Sequence, residues 1–491
     1  MPDSISRRTA LGAMAAGFPA MLRGQQQRPN VIFVMTDDQR WDAMSCAGNK
    51  ILKTPNMDRV ASGGVRFTEA FSTNPLCSPA RGTILTGLYT HAHGVTTNGG
   101  QSHYFKPGVV TYPSLLQKSG YYSAMVGKWH IATTPAGLGF DHWCILPGQG
   151  VYHDPVMIAN GGRVQFRGYC DDIIGDQALE TLKSRPKNKP FSLICNFKAP
   201  HRAWEPAARH EKAYENVAIP EPSTFGVDLA NRPQGIRETD MQIADMPDFR
   251  DRGVPAALPR ELRKHLNYQQ FVKNYYRTLL GVDDNLGRIL DYLDKEKLAE
   301  NTLIIYTGDN GFFIGEYGMF DKRLMYEPSI RVPMLVRYPA AIRPGNVDSR
   351  HMVLNNDVAH TILDYCGIQR PEHMRNHGES WRSIIEGRRA DWRTSWMYEY
   401  FEYPGPHCAP KGRGVRTESQ KLIHYIQQPV AHEFFDLEKD PEERTNRYDD
   451  PAYKEQVAVL SKELERLRQI TADDRSEDGT PAEKCGDRMA G

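Results

Sequence analysis

Five short apolar runs punctuate the chain between residues 30 and 337: Asn30 to Thr36 (NVIFVMT), Tyr121 to Val126 (YYSAMV), Phe191 to Phe197 (FSLICNF), Thr302 to Thr307 (TLIIYT) and Val332 to Arg337 (VPMLVR). A strand with one wet face alternates apolar and polar residues. These runs do not, so each is expected to be a strand buried on both faces. Helical patterns lie between them. Thr111 caps TYPSLLQKSG, Asp171 to Leu182 has apolar residues at helical spacing, and the stretch from about His265 to Leu298 carries a 3.6-residue stripe. Strands alternating with helices predict an α/β fold with a large, mostly parallel sheet flanked by helices.

The rhythm stops around Pro371 to Asn376. From Ser395 come short strand-like runs (SWMYEYFEY, GRGVRT, KLIHYI, EFFDL), a turn at Lys439-Asp440-Pro441 and an amphipathic helix near Tyr453 to Ile470. This predicts a smaller C-terminal α+β domain containing an antiparallel sheet. The expected division is 29–375 for the large domain and 376–475 for the small one, with a loose polar tail at 476–491. The stretch 205–262, rich in Pro, Arg and Asp, reads as a long surface excursion.

Residues 1–28 open with Ser6-Arg7-Arg8-Thr9-Ala10-Leu11 and a short apolar stretch to Met21. That is a targeting segment, too short to span a bilayer stably. The paired arginines resemble a twin-arginine export signal, which implies the twin-arginine machinery as a partner and a periplasmic or extracellular address. No later stretch has 18 consecutive apolar residues, so no stable membrane span is expected.

Net charge is +1, so no global field draws the chain to nucleic acid or an anionic membrane, and any anion preference must be built locally. Hydrophobic residues at 40% and charged residues at 25% exclude a fibrous or disordered chain. The eight cysteines show no CxxC pairing or regular spacing, so few or no disulfides are expected, and no zinc site.

Open parallel sheets bind ligands at the carboxyl ends of their strands. Four predicted strand ends carry charged or coordinating groups: Asp37-Asp38, Lys128-Trp129-His130, Lys198-Ala199-Pro200-His201 and Asp309-Asn310-Gly311. Together they predict one site. Asp37, Asp38, Asp309 and Asn310 offer hard oxygen donors, which suits calcium or magnesium rather than zinc or copper. Lys128, His130 and His201, with Arg81 and Lys322 from nearby loops, could hold a tetrahedral oxyanion beside that cation. Such a pairing stabilises charge developing on a transferring sulfuryl or phosphoryl group. The chemistry expected is hydrolysis of an anionic ester.

The segment Leu76-Cys77-Ser78-Pro79-Ala80-Arg81-Gly82, continuing Thr83-Ile84-Leu85-Thr86-Gly87, resembles the signature of the type I sulfatases, members of the alkaline-phosphatase-like superfamily. The resemblance runs from Asn30 to about Asn446, with further landmarks at Thr36 to Gln39, Gly127 to His130, Gly139-Phe140-Asp141, Lys198 to His201, Thr307 to Gly311 and Phe320-Asp321-Lys322-Arg323. It implies that a formylglycine-generating enzyme converts Cys77 to formylglycine, whose hydrated form is the nucleophile. It implies a metal site of Asp37, Asp38, Asp309, Asn310 and modified Cys77, with calcium the expected ion and magnesium the alternative. It implies that Arg81 and Lys128 steady the nucleophile, that His130 accepts its proton, and that His201 and Lys322 hold sulfate oxygens.

The resulting expectation is an exported sulfatase acting on a sulfated carbohydrate, similar to bacterial glycan sulfatases, N-acetylglucosamine-6-sulfatase-like members among them. The alternatives are a phosphoester or phosphonate hydrolase of the same superfamily and a non-catalytic sulfated-glycan-binding protein. Binding alone needs no formylglycine motif, which argues against the latter. Specificity is expected from the 141–169 loop, the 202–262 excursion and the 403–416 segment. Trp143, Tyr152, Trp204 and Tyr403 are candidate sugar-stacking faces there, and Arg163, Arg167, His407 and Arg413 candidate polar contacts.

Overall fold

A computed structural model describes residues 28–475 apart from 373 and 390, so the expected export segment, up to residue 27, and the expected loose tail lie outside the described residues. Ten strands form one sheet, in the order Asn346–Asp348, Val65–Phe67, Met334–Arg337, Thr302–Gly308, Asn30–Thr36, Phe191–Asn196, Tyr122–Lys128, His142–Leu146, Val156–Ala159 and Gly162–Gln165. The middle five, from Thr302–Gly308 to His142–Leu146, are mutually parallel. Antiparallel pairings flank them on both sides. The Val332 run is therefore a buried strand, as its composition requires, yet it runs antiparallel to Thr302–Gly308. An apolar run specifies burial; it carries no information on direction.

Alternate residues of the central strand serve two cores. Ile32 and Val34 pack toward the helices Cys170–Ser184 and Arg260–Lys295, through residues such as Ile174, Leu182, Phe271, Leu279 and Leu286. Val31, Phe33 and Met35 face Ile84, Leu85, Leu116, Val358 and Ile362 on the opposite side. All seven residues of Asn30–Thr36 are buried, as a strand covered on both faces must be. The 205–262 segment departs from the expected surface excursion. It threads Ile219, Phe225, Ile236, Ile243, Met246 and Phe249 into buried positions, so sparse apolar residues anchor a segment with little periodicity.

The C-terminal part forms a four-stranded antiparallel sheet, Ser395–Tyr400, Gly412–Thr417, Gln420–Tyr425 and Ala431–Asp436, covered by the helix Lys454–Thr471 through Leu460, Leu464 and Leu467. Among the described cysteines six are free, and Cys408 is disulfide-bonded. Among the described residues no helix is long and apolar enough to cross a membrane.

Candidate active site

The parallel register assembles the site. Thr36 stands opposite Gly308, so the residues that follow, Asp37 and Asp309, leave adjacent strands side by side. On the other flank Met35 and Gly127 both pair with Asn196, which brings the Lys128 to His130 and Lys198 to His201 segments to the same end. Gly127 is indispensable to this approach. Its φ of 95° is left-handed, and a Cβ there would lie 1.9 Å from the Asn196 carbonyl oxygen.

Three carboxylates, Asp37, Asp38 and Asp309, bring oxygens within 4.8 Å of one another in full burial, and Asp37, Cys77 and His201 form an overlapping group of the same size. Asp309 Oδ1 accepts from the backbone N–H of Asp38 at 3.0 Å and of Asn310 at 2.9 Å. Asn310 donates through Nδ2 to Asp38 Oδ1 at 2.8 Å, while its own Oδ1 is buried with no hydrogen-bond partner. An unpaired buried oxygen beside three clustered carboxylates costs free energy unless a cation meets it. The donor set is all oxygen, which fits a hard divalent ion.

Cations ring this cluster. Lys128 pairs with Asp37, and Arg81 reaches Asp309 Oδ2 at 2.8 Å and Asp37 Oδ2 at 3.3 Å. Lys322 Nζ lies 2.6 Å from each oxygen of Asp38, and His201 Nε2 lies 3.9 Å from Asp38 Oδ2. Burial works to raise the Asp37 carboxyl, but Lys128, followed by His201, Arg81 and Lys322, overcomes it and holds the group well below its usual range. Burial dominates at Asp38, which is pushed up to about 7 against the pull of Lys322, and Asp309 is raised for the same reason. Burial and then Lys128 push both His130 and His201 well below the ordinary imidazole value, so both rings favour the neutral form.

Cys77 begins the helix Cys77–Thr86, whose ten residues are all buried. Leu76 at the cap supplies no side-chain acceptor, Asn98 Oδ1 instead accepts from the Ser78 N–H at 3.0 Å, and the positive end of the helix dipole lies at Cys77. The thiol lies 3.4 Å from Asp37 Oδ1, and burial, reinforced by Asp37, holds its pKa well above the usual range. This is a poor place for a thiolate. Ser78 donates to the His130 carbonyl, tying the Cys77–Thr86 helix to the loop carrying His130, whose Nδ1 is buried without a partner.

Every residue expected in the site thus falls in one cluster at the strand ends: Asp37, Asp38, Cys77, Arg81, Lys128, His130, His201, Asp309, Asn310 and Lys322. The specificity loops fare differently. Trp204 is fully buried, its ring centroid 4.6 Å from that of Phe271 and 6.3 Å from those of Phe249 and Phe312. Tyr152 is buried and donates to the His201 carbonyl at 2.6 Å. Arg413 is consumed by a buried pair with Asp473 at 2.7 Å. Trp143 and Tyr403 are half-buried, while Arg163 and Arg167 are exposed. His407 is buried, with Nε2 3.2 Å from Asp321 Oδ2, so it stands one residue from Lys322.

Sequence reasoning gave no role to Gln149 or Lys198, both of which border the cationic pocket. Gln149 Oε1 accepts from Lys128 Nζ at 2.6 Å, and Lys198 Nζ donates to the Gln149 carbonyl at 3.0 Å. Lys198 stood in a strand-end motif. Gln149 sits in a Gly-rich turn that no charge or period marks.

The chain matches the family model described as "Sulfatase" over residues 29–368, and the model "N-sulphoglucosamine sulphohydrolase, C-terminal" over 315–470. It is 38% identical to the N-acetylglucosamine-6-O-sulfatase of Bacteroides thetaiotaomicron, over 94% of this chain and 89% of that protein. It is 29% identical to the human N-acetylglucosamine-6-sulfatase, over 86% of this chain and 81% of the relative. Among solved structures, a complex of an enzyme with its substrate D-glucosamine-2-N,6-O-disulfate superposes with a TM-score of 0.85 at 36% identity, covering 92% of this chain and 100% of the other. With a matching model across most of its length and a relative of this identity along nearly all of it, the chain belongs to the sulfatase family, enzymes that hydrolyse sulfuric esters.

Proposed function

We propose that this sulfatase removes the 6-O-sulfate of a glucosamine-type sugar, using a formylglycine formed from Cys77 and one divalent cation, calcium in the first instance. The observation that carries the reading is the coincidence of an oxygen-only cluster, a ring of cations and Cys77 at one set of strand ends, in a chain similar along nearly its whole length to an N-acetylglucosamine-6-O-sulfatase. Asp37, Asp38, Asp309 and the unpaired Oδ1 of Asn310 would hold the cation together with the modified side chain at 77. When present, these two groups supply a Lewis acid for sulfate oxygens and a geminal diol that attacks sulfur and later expels sulfate, a release that a plain serine ester could not manage.

The chain's own residues divide the remaining work. Arg81 and Lys128, both anchored on Asp37, fix the nucleophile's position and offset charge beside it. His130, neutral and with Nδ1 unpaired, would take a proton from the nucleophile. His201 and Lys322 both meet Asp38 and would hold sulfate oxygens there: Lys322 donates outright, while His201, whose Nδ1 proton is committed to the Arg202 carbonyl, would donate from Nε2 once the charge of bound sulfate favours the imidazolium, and would pass that proton to the departing alcohol. Burial of the set, with His201 at its partly exposed edge, limits water and strengthens each interaction. The paired arginines at 7 and 8 support export before action on an extracellular glycan.

The test is sulfate release from a panel: N-acetylglucosamine-6-sulfate, glucosamine-2-N,6-O-disulfate, sulfated galactose, fucose and uronate oligosaccharides, choline sulfate and a phosphodiester. The 6-O-sulfated glucosamines are expected to turn over fastest. Faster turnover of choline sulfate or the phosphodiester than of every sugar would overturn the reading.

A further inference from the structure

Lys198 is a buried cation that the chemistry above does not use. Among the described residues its ammonium makes no ion pair: it donates to two backbone carbonyls, Gln149 at 3.0 Å and Arg202 at 3.4 Å, and lies 4.6 Å above the ring of Tyr152. Burying an ammonium without a carboxylate is costly, and burial, followed by Lys128, lowers its pKa to about 8. The two carbonyls it holds belong to different strand-end loops, and each loop carries one wall of the cationic pocket.

The Gln149 side controls Lys128. With its carbonyl held by Lys198, the Gln149 side chain presents Oε1 to Lys128 Nζ at 2.6 Å, so the ammonium that serves Asp37 has a second, neutral anchor. The Arg202 side controls His201. The Arg202 carbonyl that accepts from Lys198 also accepts from His201 Nδ1 at 2.7 Å. A carbonyl can only accept, so this bond places the proton on Nδ1 and turns Nε2 toward Asp38. Tyr152, beneath the Lys198 ammonium, donates to the His201 carbonyl at 2.6 Å and closes the ring. Arg202 is itself clamped by a two-pronged pair with Asp248, both contacts 2.7 Å, so the carbonyl that Lys198 grips belongs to a fixed residue.

We propose that Lys198 and Gln149 are positioning residues for sulfate recognition: Lys198 ties the 146–152 loop to the 198–204 loop, and through those ties sets the aim of Lys128 and the tautomer and orientation of His201. The proposal rests on the assignment of Lys128 and His201 to the sulfate pocket given above. It explains a buried cation with no carboxylate partner by its geometry: two of its three N–H donors meet carbonyls on loops that must keep a fixed separation, and the ammonium also lies over the Tyr152 ring.

The experiment compares Lys198→Met, Lys198→Arg, Gln149→Leu and the Lys198→Met/Gln149→Leu double variant with the wild type in kcat, KM and inhibition by inorganic sulfate. Lys128→Met and His201→Ala are measured in parallel. Misplacing the pocket walls by about 1 Å is expected to cost on the order of 10²-fold in kcat/KM for Lys198→Met and to weaken sulfate inhibition at least tenfold. Lys198→Arg, which keeps donors for both carbonyls, is expected to recover a substantial part of the loss. The double variant should cost little more than the worse single one, because the two residues act in one chain. Sulfate inhibition unchanged in a folded Lys198→Met enzyme, or fully additive losses in the double variant, would overturn the proposal. Retained activity in Lys128→Met and His201→Ala would instead refute the pocket assignment on which it rests. If Lys198→Met does not fold, Gln149→Leu, which leaves the buried ammonium in place, carries the test alone: it too must weaken sulfate inhibition.

Discussion

Lys322 Nζ sits 2.6 Å from both carboxylate oxygens of Asp38, across 284 residues of sequence, so one ammonium neutralises a member of the acidic cluster and faces the pocket at once. Removing it leaves Asp38 buried among Asp37, Asp309 and Asp321 with its principal cation gone, which drives the carboxyl further toward the protonated form. Lys322→Ala is expected to lower kcat/KM by about 10²- to 10³-fold, the loss typical of one charge-stabilising donor. Lys322→Arg should rescue little, since a planar fork replaces a point donor. Steady-state kinetics of both variants check this; near-wild-type turnover in either would contradict it.

The acidic cluster predicts metal dependence in stability as well as in rate. Chelation with EGTA and EDTA is expected to abolish activity and lower the melting temperature, and added calcium to restore both. An ion held at 100-fold above its Kd contributes about 2.7 kcal/mol to the folded state. Asp309→Ala should reproduce the loss without chelator and add a cost of its own, because Arg81 loses its 2.8 Å partner in full burial. Arg81 keeps Asp37 at 3.3 Å and the Lys128 carbonyl at 2.7 Å, so the added cost should stay below the roughly 3 to 5 kcal/mol of a buried charge left wholly unpaired. Thermal melts with and without calcium measure both effects; a calcium-insensitive melt would contradict the site.

Trp204 lies beside His201 in sequence but serves the core. Trp204→Ala is expected to cost about 3 to 5 kcal/mol of stability through the lost contacts with Phe249, Phe271 and Phe312. KM in the surviving folded fraction should change less than threefold, an order-of-magnitude bound for a residue without substrate contact. A KM effect without destabilisation would return Trp204 to the sugar-binding surface.

The strand ends were legible in the sequence because a parallel sheet gathers the residues that follow each apolar run, and the register Thr36 opposite Gly308 realises that directly. Burial was legible too, but not direction: the Met334–Arg337 strand reads like its parallel neighbours and runs the other way. What the sequence hid were partners far apart along the chain. Arg413 looks free until Asp473 meets it, and His407 until Asp321 does. Gln149 was invisible because a lone amide in a Gly-rich turn carries no signal until Lys128 and Lys198 are seen against it.

The seam between the Thr90–His93 helix and the C-terminal sheet is expected to depend on pH. His91 meets Glu399 through Nδ1 and donates from Nε2 to the Thr471 carbonyl at 3.0 Å, all in burial. Burial works to lower the His91 pKa, and Glu399, by charge and hydrogen bond, overcomes it and raises it above 6.5. A raised folded-state pKa means that the folded state holds the proton more tightly, so this stabilisation is complete below 6.5 and is lost as pH rises through the raised value. His91→Gln should therefore be less stable than wild type by about 3 kcal/mol near pH 6, with the gap narrowing toward pH 9. Urea titrations across that range check the sign; a gap that widens with pH would contradict it.

The central claim is that Cys77 works as formylglycine at the head of its helix. Its most direct test is mass spectrometry of the peptide spanning Cys77 from a preparation that releases sulfate from N-acetylglucosamine-6-sulfate. Replacement of the thiol by an aldehyde lowers the peptide mass by roughly 18 Da, and the converted fraction is expected to rise in proportion to specific activity across preparations. Full sulfate-releasing activity in a preparation whose Cys77 peptide carries only the unmodified cysteine mass would contradict the account.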